Sequence, residues 1–405
     1  MIYRLTNAIR PYQWGSTTAI PELLGVPPTG APQAELWMGA HPSAPSTLDG
    51  AGSLLDRVKA DPDGELGAPV AAELGPKLPF LLKVLAAAEP LSIQAHPTLA
   101  QARRGFAAEN ARGVPIDAPD RNYRDPNHKP ELVCALTPFR AFGGFRPVAG
   151  TVRLLAGLGV PALTPYVESL RAEPGPAGLH RVVTAILTAP TEPRSALVDA
   201  VAAACRAHPD GELGAARREV AALAGRYPGD PGVVIALLLN YVVLAPGEAM
   251  FIPPGSPHAY LSGTAVEIMA SSDNVLRGGL TGKHVDVPEL LRVLDCSDGP
   301  PSLVTPYRAP CGELVYRVPV REFRLSRIEL TDIPSVVDGG QPQILLCVEG
   351  SVEVSAVSDG VVGARSDAAC SVLLARGESA YLPASAQKVT LAGSGALFRA
   401  TTNMT

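Results

Sequence analysis

The 405-residue chain contains six cysteines, Cys134, Cys205, Cys296, Cys311, Cys347 and Cys370, and none of them stands in a CxxC pair. That spacing excludes a zinc knuckle or a dithiol redox motif and makes reduced thiols in a cytoplasm the expected state. A basic excess is also missing. With 34 Lys+Arg against 39 Asp+Glu the net charge is −5, which gives no electrostatic basis for binding nucleic acid or an anionic membrane. An anionic small molecule would need a local cationic cluster. The opening MIYRLTNAIRPYQWG lacks the basic start, apolar stretch and small-residue cleavage site of a secretory signal. The longest apolar run, Val233 to Ala245, is interrupted by Asn240 and is too short to span a bilayer. A cytoplasmic protein with no membrane partner is expected.

What is present is a long chain with an apolar fraction of 46%, more than one hydrophobic core usually organises. From residue 1 to 146, Pro/Gly-punctuated loops alternate with short apolar runs such as LPFLLKVL (Leu78 to Leu85), which predicts strands with a helix or two between them. Residues 147–232 change character. Apolar residues recur at helical spacing (Leu154, Leu155, Leu158, then Leu179, Val182, Val183, Ile186), which predicts a helical insertion. Strand and turn vocabulary returns over 233–303 and continues over 304–405. A gapless internal repeat relates Leu244–Gly263 to Leu374–Gly393, with Leu244/Leu374, Gly247/Gly377, Glu248/Glu378, Pro253/Pro383 and Gly263/Gly393 among the identities. A Gly turn, a strand, a Pro-rich turn and a second strand suit a small antiparallel barrel, so two barrels are expected. His258 of the first copy is replaced by Lys388 in the second, and no histidine follows His284. The second barrel is therefore expected to lack a metal site and to be structural or lid-like.

The polar residues most out of place are in LSIQAHP (Leu91 to Pro97). In a strand, Gln94 and His96 would share a face with Ser92, while Ile93 and Ala95 face the other way. A lone buried histidine is more often a hydrogen-bonded core residue than a ligand. Two other segments change that balance: DPNHKPELVCAL brings Glu131 to the start of an apolar strand, and PPGSPHAYLSG aims His258 from a Pro/Gly turn. His96, His258, Glu131 and the amide of Gln94 make a four-ligand set for one Zn²⁺ per chain with room for water or substrate.

The segments LSIQAHP, NHKPEL, PPGSPHAYLSG and VEIMASSDNVLRGGLTGKHVD, together with NAIRPYQWGS and AELWMGAHPSAPS, resemble the type I mannose-6-phosphate isomerase (phosphomannose isomerase) family over most of residues 1–286. The resemblance implies a mainly β, cupin-type fold: two jelly-roll barrels plus an α-helical domain. It implies zinc on Gln94, His96, Glu131 and His258, and a catalytic role for Arg277. By the same match Lys83, Ser92, Lys129, Tyr260 and Glu267 fall on the pocket. The implied reaction interconverts mannose 6-phosphate and fructose 6-phosphate through a cis-enediol, so the partner is a small phosphosugar.

For that chemistry Lys83, Lys129 and Ser92 are candidate phosphate contacts beside Arg277, with Tyr260 in the pocket wall. Glu267 is either the general base or the carboxylate that holds Arg277, and Lys129 and His128 are rival bases. His41, Trp14 and Trp37 read as packing or loop anchors, His284 as a turn cap, and His180 and His208 as surface residues. Two other readings stay open: a different metal-dependent cupin enzyme, against which Gln94 argues in the case of an oxygenase, and a sugar-binding barrel without catalysis. The three cations around one pocket favour a phosphosugar enzyme. Nothing in the sequence fixes the oligomeric state, and a monomer is compatible with it.

Overall fold

A computed structural model describes residues 1–211, 213–331, 333–356 and 371–404. Two large antiparallel sheets and a run of helices build the molecule. One sheet carries Ala8–Arg10, Glu35–Met38, Phe80–Ala87, Ile93–Ala95, Glu131–Ala135, Phe139–Phe145, Leu239–Leu244, Ala249–Ile252, His258–Ala270, Leu276–Gly279 and Leu303–Val304. The other gathers the strands beyond Tyr307, and it also takes in Tyr3–Thr6 and the short pair Thr47–Leu48 and Gly52–Ser53. Tyr3 lies opposite Tyr381 and Leu5 opposite Ser379, so the first strand completes a sheet made by the last hundred residues. Among the described residues no hydrogen-bonded ladder closes either sheet into a ring.

The strand His258–Ala270 organises the first sheet. Its first half pairs with Phe139–Phe145 and meets Gln94, and its second half pairs with Phe80–Ala87 and Glu131–Ala135. The change of neighbours falls at Gly263, where φ is +115° and a Cβ would stand 2.6 Å from the Pro138 carbonyl oxygen. Only glycine fits that close approach in that conformation. The second sheet repeats the device in Lys388–Thr401, where Gly393 has φ +122° and a Cβ would meet the Ser351 oxygen at 2.4 Å.

The internal repeat is thus a repeat of geometry. In the first copy the Ala245 N–H donates to the Glu248 side chain at 2.8 Å, and in the second the Ala375 N–H donates to Glu378 at 2.8 Å. Gly247 and Gly377 hold φ at +87° and +86° in the two turns. The shared Gly-Glu pair encodes one hairpin: glycine supplies the left-handed turn and the carboxylate caps its open N–H.

Consecutive helices fill the middle of the chain: Val148–Gly157, Thr164–Ala172, Pro176–Thr188, Thr191–Ala207, Gly214–Arg226 and Gly232–Ala236. Leu154, Leu155, Val182, Val183, Ile186, Val198, Val201 and Leu223 form one buried cluster with Phe142, Phe145 and Leu276 of the first sheet. The 3.6-residue spacing read in the sequence is this face. The long apolar run from Val233 divides into the short helix ending at Ala236 and the strand starting at Leu239, which pairs with Phe139–Phe145. No helix among the described residues is long and apolar enough to cross a membrane.

The first 146 residues hold more helix than their composition predicts. Ala19–Leu24, Leu54–Ala60, Pro62–Leu66, Ala68–Leu74 and Leu99–Ala111 are all helical. Most are too short for a periodic pattern to register, and they are set by local caps: Asp61 accepts from the Gly64 N–H ahead of Pro62, and Thr98 and Gln101 form a capping box. Cys134, Cys205, Cys296, Cys311 and Cys347 carry free thiols, and Cys370 lies outside the described residues.

Candidate metal centre and cationic cavity

The strand Ile93–Ala95 points Ile93 and Ala95 into the core shared with the helices. Its other face turns Gln94 toward a cavity of about 50 Å³ and leads to the buried His96. Gln94 lies between two neighbours in the sheet, His258 on one side and Arg277 on the other. Glu131 opens the strand Glu131–Ala135 and His258 opens His258–Ala270. Three side chains remote in sequence therefore converge: His96 Nε2 lies 3.3 Å from one oxygen of Glu131, and His258 Nε2 lies 3.2 Å from the other.

These spacings fit a metal. Tetrahedral zinc with bonds of about 2.0–2.1 Å has ligand–ligand edges of about 3.3 Å. His96, Glu131 and His258 are all buried, with candidate ligand atoms within 4.8 Å of one another. The His96 Nε2 is buried without a hydrogen-bond partner, an orphan that burial makes costly and a cation would satisfy. Its other nitrogen, Nδ1, bonds the Asn274 main-chain oxygen at 2.7 Å, and the His258 Nδ1 faces the Ser256 oxygen at 3.2 Å, which turns both Nε2 atoms inward. Burial pushes the His96 pKa down to about 4, against the pull of Glu131, so the ring is a neutral donor. Burial disfavours the charge of Glu131, yet Lys129, at 3.0 Å, and His96 hold its carboxyl well below the ordinary range.

Behind this group lies a second buried charge network. Lys83 Nζ sits 3.3 Å from Glu267 and 3.7 Å from Glu35, over the face of Trp37. The Trp37 indole N–H donates to Glu35 at 2.5 Å, and the Tyr260 hydroxyl donates to Glu267 at 2.9 Å. Burial opposes the Lys83 charge, but Glu35, Glu267 and Glu131 outweigh it and raise its pKa. Burial raises the Glu267 pKa against the lowering effect of Lys83. For Tyr260, burial and Glu267 both raise it.

Lys83, Ser92, Gln94, Lys129, Glu131, His258, Tyr260 and Glu267 line one cavity with Glu35, the residue that the sequence reading passed over. Glu35 stands two residues before Trp37 in one strand, on the same face, which is the signal that could have found it. One expectation needs correction. Glu267 does not hold Arg277: its partners are Lys83 and Tyr260, because its strand places it directly across from Lys83. Lys83 lines the cavity with its ammonium ion-paired to Glu267 and Glu35.

Arg277, half-buried, has other company. Burial lowers its pKa and so does the nearby Arg124, while Lys283 is lowered by burial, Arg277 and Arg124. Arg124 and Lys283 are the other residues missed by the sequence reading. Among the described residues none of these three cations is ion-paired with a carboxylate, and Arg277 and Lys283 both feel the charge of Arg124, so an anionic ligand there would meet uncompensated positive charge. His128 bonds Glu322 at 2.6 Å, His41 faces Asp273 at 3.2 Å and packs on Trp37, and His284 is exposed while Asp286 caps the next helix. His180 and His208 are exposed, as read.

Three kinds of comparison bear on this arrangement. The family described as phosphomannose isomerase type I, catalytic domain, matches residues 2–148. The mannose-6-phosphate isomerase of Escherichia coli (strain K12) is 40% identical over 402 residues, covering 98% of each chain. That of Bos taurus is 34% identical over 391 residues, covering 87% of this chain and 89% of the other. Among solved structures, mannose 6-phosphate isomerase from Salmonella typhimurium bound to its substrate, fructose 6-phosphate, and to zinc superposes with a TM-score of 0.89 at 38% identity over 100% of both chains. A zinc-bound holo form superposes with the same TM-score of 0.89, at 38% identity over 100% of both chains.

Proposed function

Because the chain belongs to the type I mannose-6-phosphate isomerase family, we propose that it interconverts mannose 6-phosphate and fructose 6-phosphate as a zinc-dependent aldose–ketose isomerase. The observation that carries this reading is the convergence of His96, Glu131 and His258 beside an unpaired cationic cluster. A zinc ion held by these three and by Gln94 would supply Lewis-acid polarisation of the sugar carbonyl.

The chain's own residues divide the remaining work. Arg277, with Arg124 and Lys283, binds the phosphate; Arg277 sits across the ladder from Gln94, so the phosphate site adjoins the metal side. Ser92 and Tyr260 position the open-chain sugar along the cavity wall. Lys129 places positive charge where the enediolate gains electrons. Glu267, with its proton affinity raised by burial, carries the proton between C2 and C1, and Lys83 and Tyr260 hold its carboxylate in place.

The fold supports the same reading. The strand switches at Gly263 and Gly393 and the duplicated hairpin suit two cupin-type jelly rolls, one metal-bearing and one without ligands, flanked by the helical segment of residues 147–232. Free thiols at the described cysteines suit a cytoplasmic enzyme. A coupled assay on mannose 6-phosphate, with and without chelator and beside Arg277→Ala, tests the function. Turnover that stops with chelator, returns with Zn²⁺ and weakens in the variant is expected. A metal-replete protein inactive on this substrate refutes the assignment, and chelator-insensitive turnover removes zinc from it.

A further inference from the structure

Arg124 to Pro130 follows no strand or helix, so its main-chain polar groups must find partners elsewhere. Many of them find Asn274. This residue has no solvent exposure. Its Oδ1 accepts from the N–H of Arg124 at 2.7 Å and of Asp125 at 3.3 Å. Its Nδ2 donates to the carbonyls of Asp125 and Asn127 at 2.7 and 2.8 Å. A carboxamide alone offers an acceptor and two donors in one plane, which is what this turn requires. The same residue's main-chain oxygen accepts from His96 Nδ1 at 2.7 Å, and its N–H donates to Ser272 Oγ at 3.2 Å.

We propose that Asn274 is a positioning residue that links the two halves of the site, so that one buried amide sets both metal affinity and phosphate affinity. Through its carbonyl it fixes the His96 ring with Nε2 facing Glu131. Through its side chain it holds the turn that presents Arg124 at one end and leads to Lys129 and Glu131 at the other. Loss of the side chain frees the turn, and the loop that carries the carbonyl relaxes with it. The inference rests on the isomerase reading above.

The test uses Asn274→Ala and Asn274→Asp in the full chain, the second keeping the acceptor while losing both donors. Zinc affinity is measured by competition with a chromophoric chelator, kcat and KM on mannose 6-phosphate, and thermal unfolding on metal-free protein. Zinc binding is expected to weaken about 10–100-fold, as for other groups that orient metal ligands. KM is expected to rise about tenfold or more, with kcat at saturating zinc and substrate changing less. If the alanine variant does not fold, the aspartate variant carries the same expectation. Glu313→Gln, which disturbs the Glu313–Arg399 pair of the other sheet (3.0 Å), serves as the comparison: it lowers thermal stability and leaves zinc affinity and KM unchanged. Asn274 variants that lose stability in the same way, with zinc affinity and KM at the wild-type values, overturn the inference. A wild type that neither binds zinc nor turns over the substrate overturns the function on which it rests, and the inference with it.

Discussion

Replacing Lys83 by Met would isolate the cost of the charge network behind the cavity. Met matches the length of the lysine stem and fills the same space without charge. Glu267 and Glu35, 3.3 and 3.7 Å from the ammonium, would then remain buried with no cation between them. Removing one partner of a buried pair costs about 3–5 kcal/mol, because the other charge stays desolvated. The carboxylates can escape part of that cost by taking up a proton. Burial already raises the Glu267 pKa, and Lys83 is the strongest influence holding it down, so the substitution lifts it further.

The sign of the pH effect follows. A carboxyl whose folded pKa exceeds its unfolded value binds more protons when folded, so its contribution is full below the unfolded pKa and is lost as pH rises through the folded one. The variant should lose the whole of that roughly 3–5 kcal/mol only at pH above the lifted Glu267 pKa, and regain up to about 1.4 kcal/mol for each pH unit on descending through the window between the two values. Urea unfolding of metal-stripped Lys83→Met from about pH 5 to 9 measures this. Adding Glu267→Gln removes the stranded charge and should recover much of the loss. Stability curves parallel to wild type across that range, or a double variant less stable than the single one, would refute the reasoning.

Glu313 titrates with the opposite sign. Burial raises its pKa but Arg399 and Ser326 lower it more, so its stabilisation is present above the unfolded value and lost as pH falls through the folded one. Glu313→Gln should cost about 1.5–3 kcal/mol at neutral pH and flatten the acid side of the thermal-stability profile, as followed by calorimetry. Gly263→Ala should destabilise by at least about 2 kcal/mol, because a Cβ would meet the Pro138 oxygen at 2.6 Å in a backbone with φ +115°. Chemical denaturation with the metal removed reads that loss apart from any change in the site.

Much of the site was legible because its residues break local patterns. Gln94 interrupts a short apolar strand, His96 follows directly on its end, and Glu131 begins another. The helical segment was legible for the opposite reason: its apolar spacing is regular, and that face packs against Phe142 and Phe145. What stayed hidden depends on cross-strand register. The pairing of Lys83 opposite Glu267 is set by where two strands 184 residues apart align. Arg124 and Lys283 look like any solvated charges until folding brings them beside Arg277 without carboxylates. Asn274 reads as an ordinary loop amide, and only the count of unpaired main-chain groups in the turn it serves reveals its work.

The placement of Tyr3–Thr6 against Ser379–Leu382 bears on how the chain is made. Arg4, which bonds the Leu373 carbonyl at 2.6 Å across 369 positions, is synthesised that many residues ahead of its partner. At about 5–20 residues per second that interval lasts roughly 20 to 75 s, and through it the edge of Tyr3–Thr6 that pairs with Ser379–Leu382 stays open, while Thr47–Leu48 can cover the other edge. Until then a short β-forming segment with free backbone groups is open to holdase chaperones or to a neighbouring nascent chain.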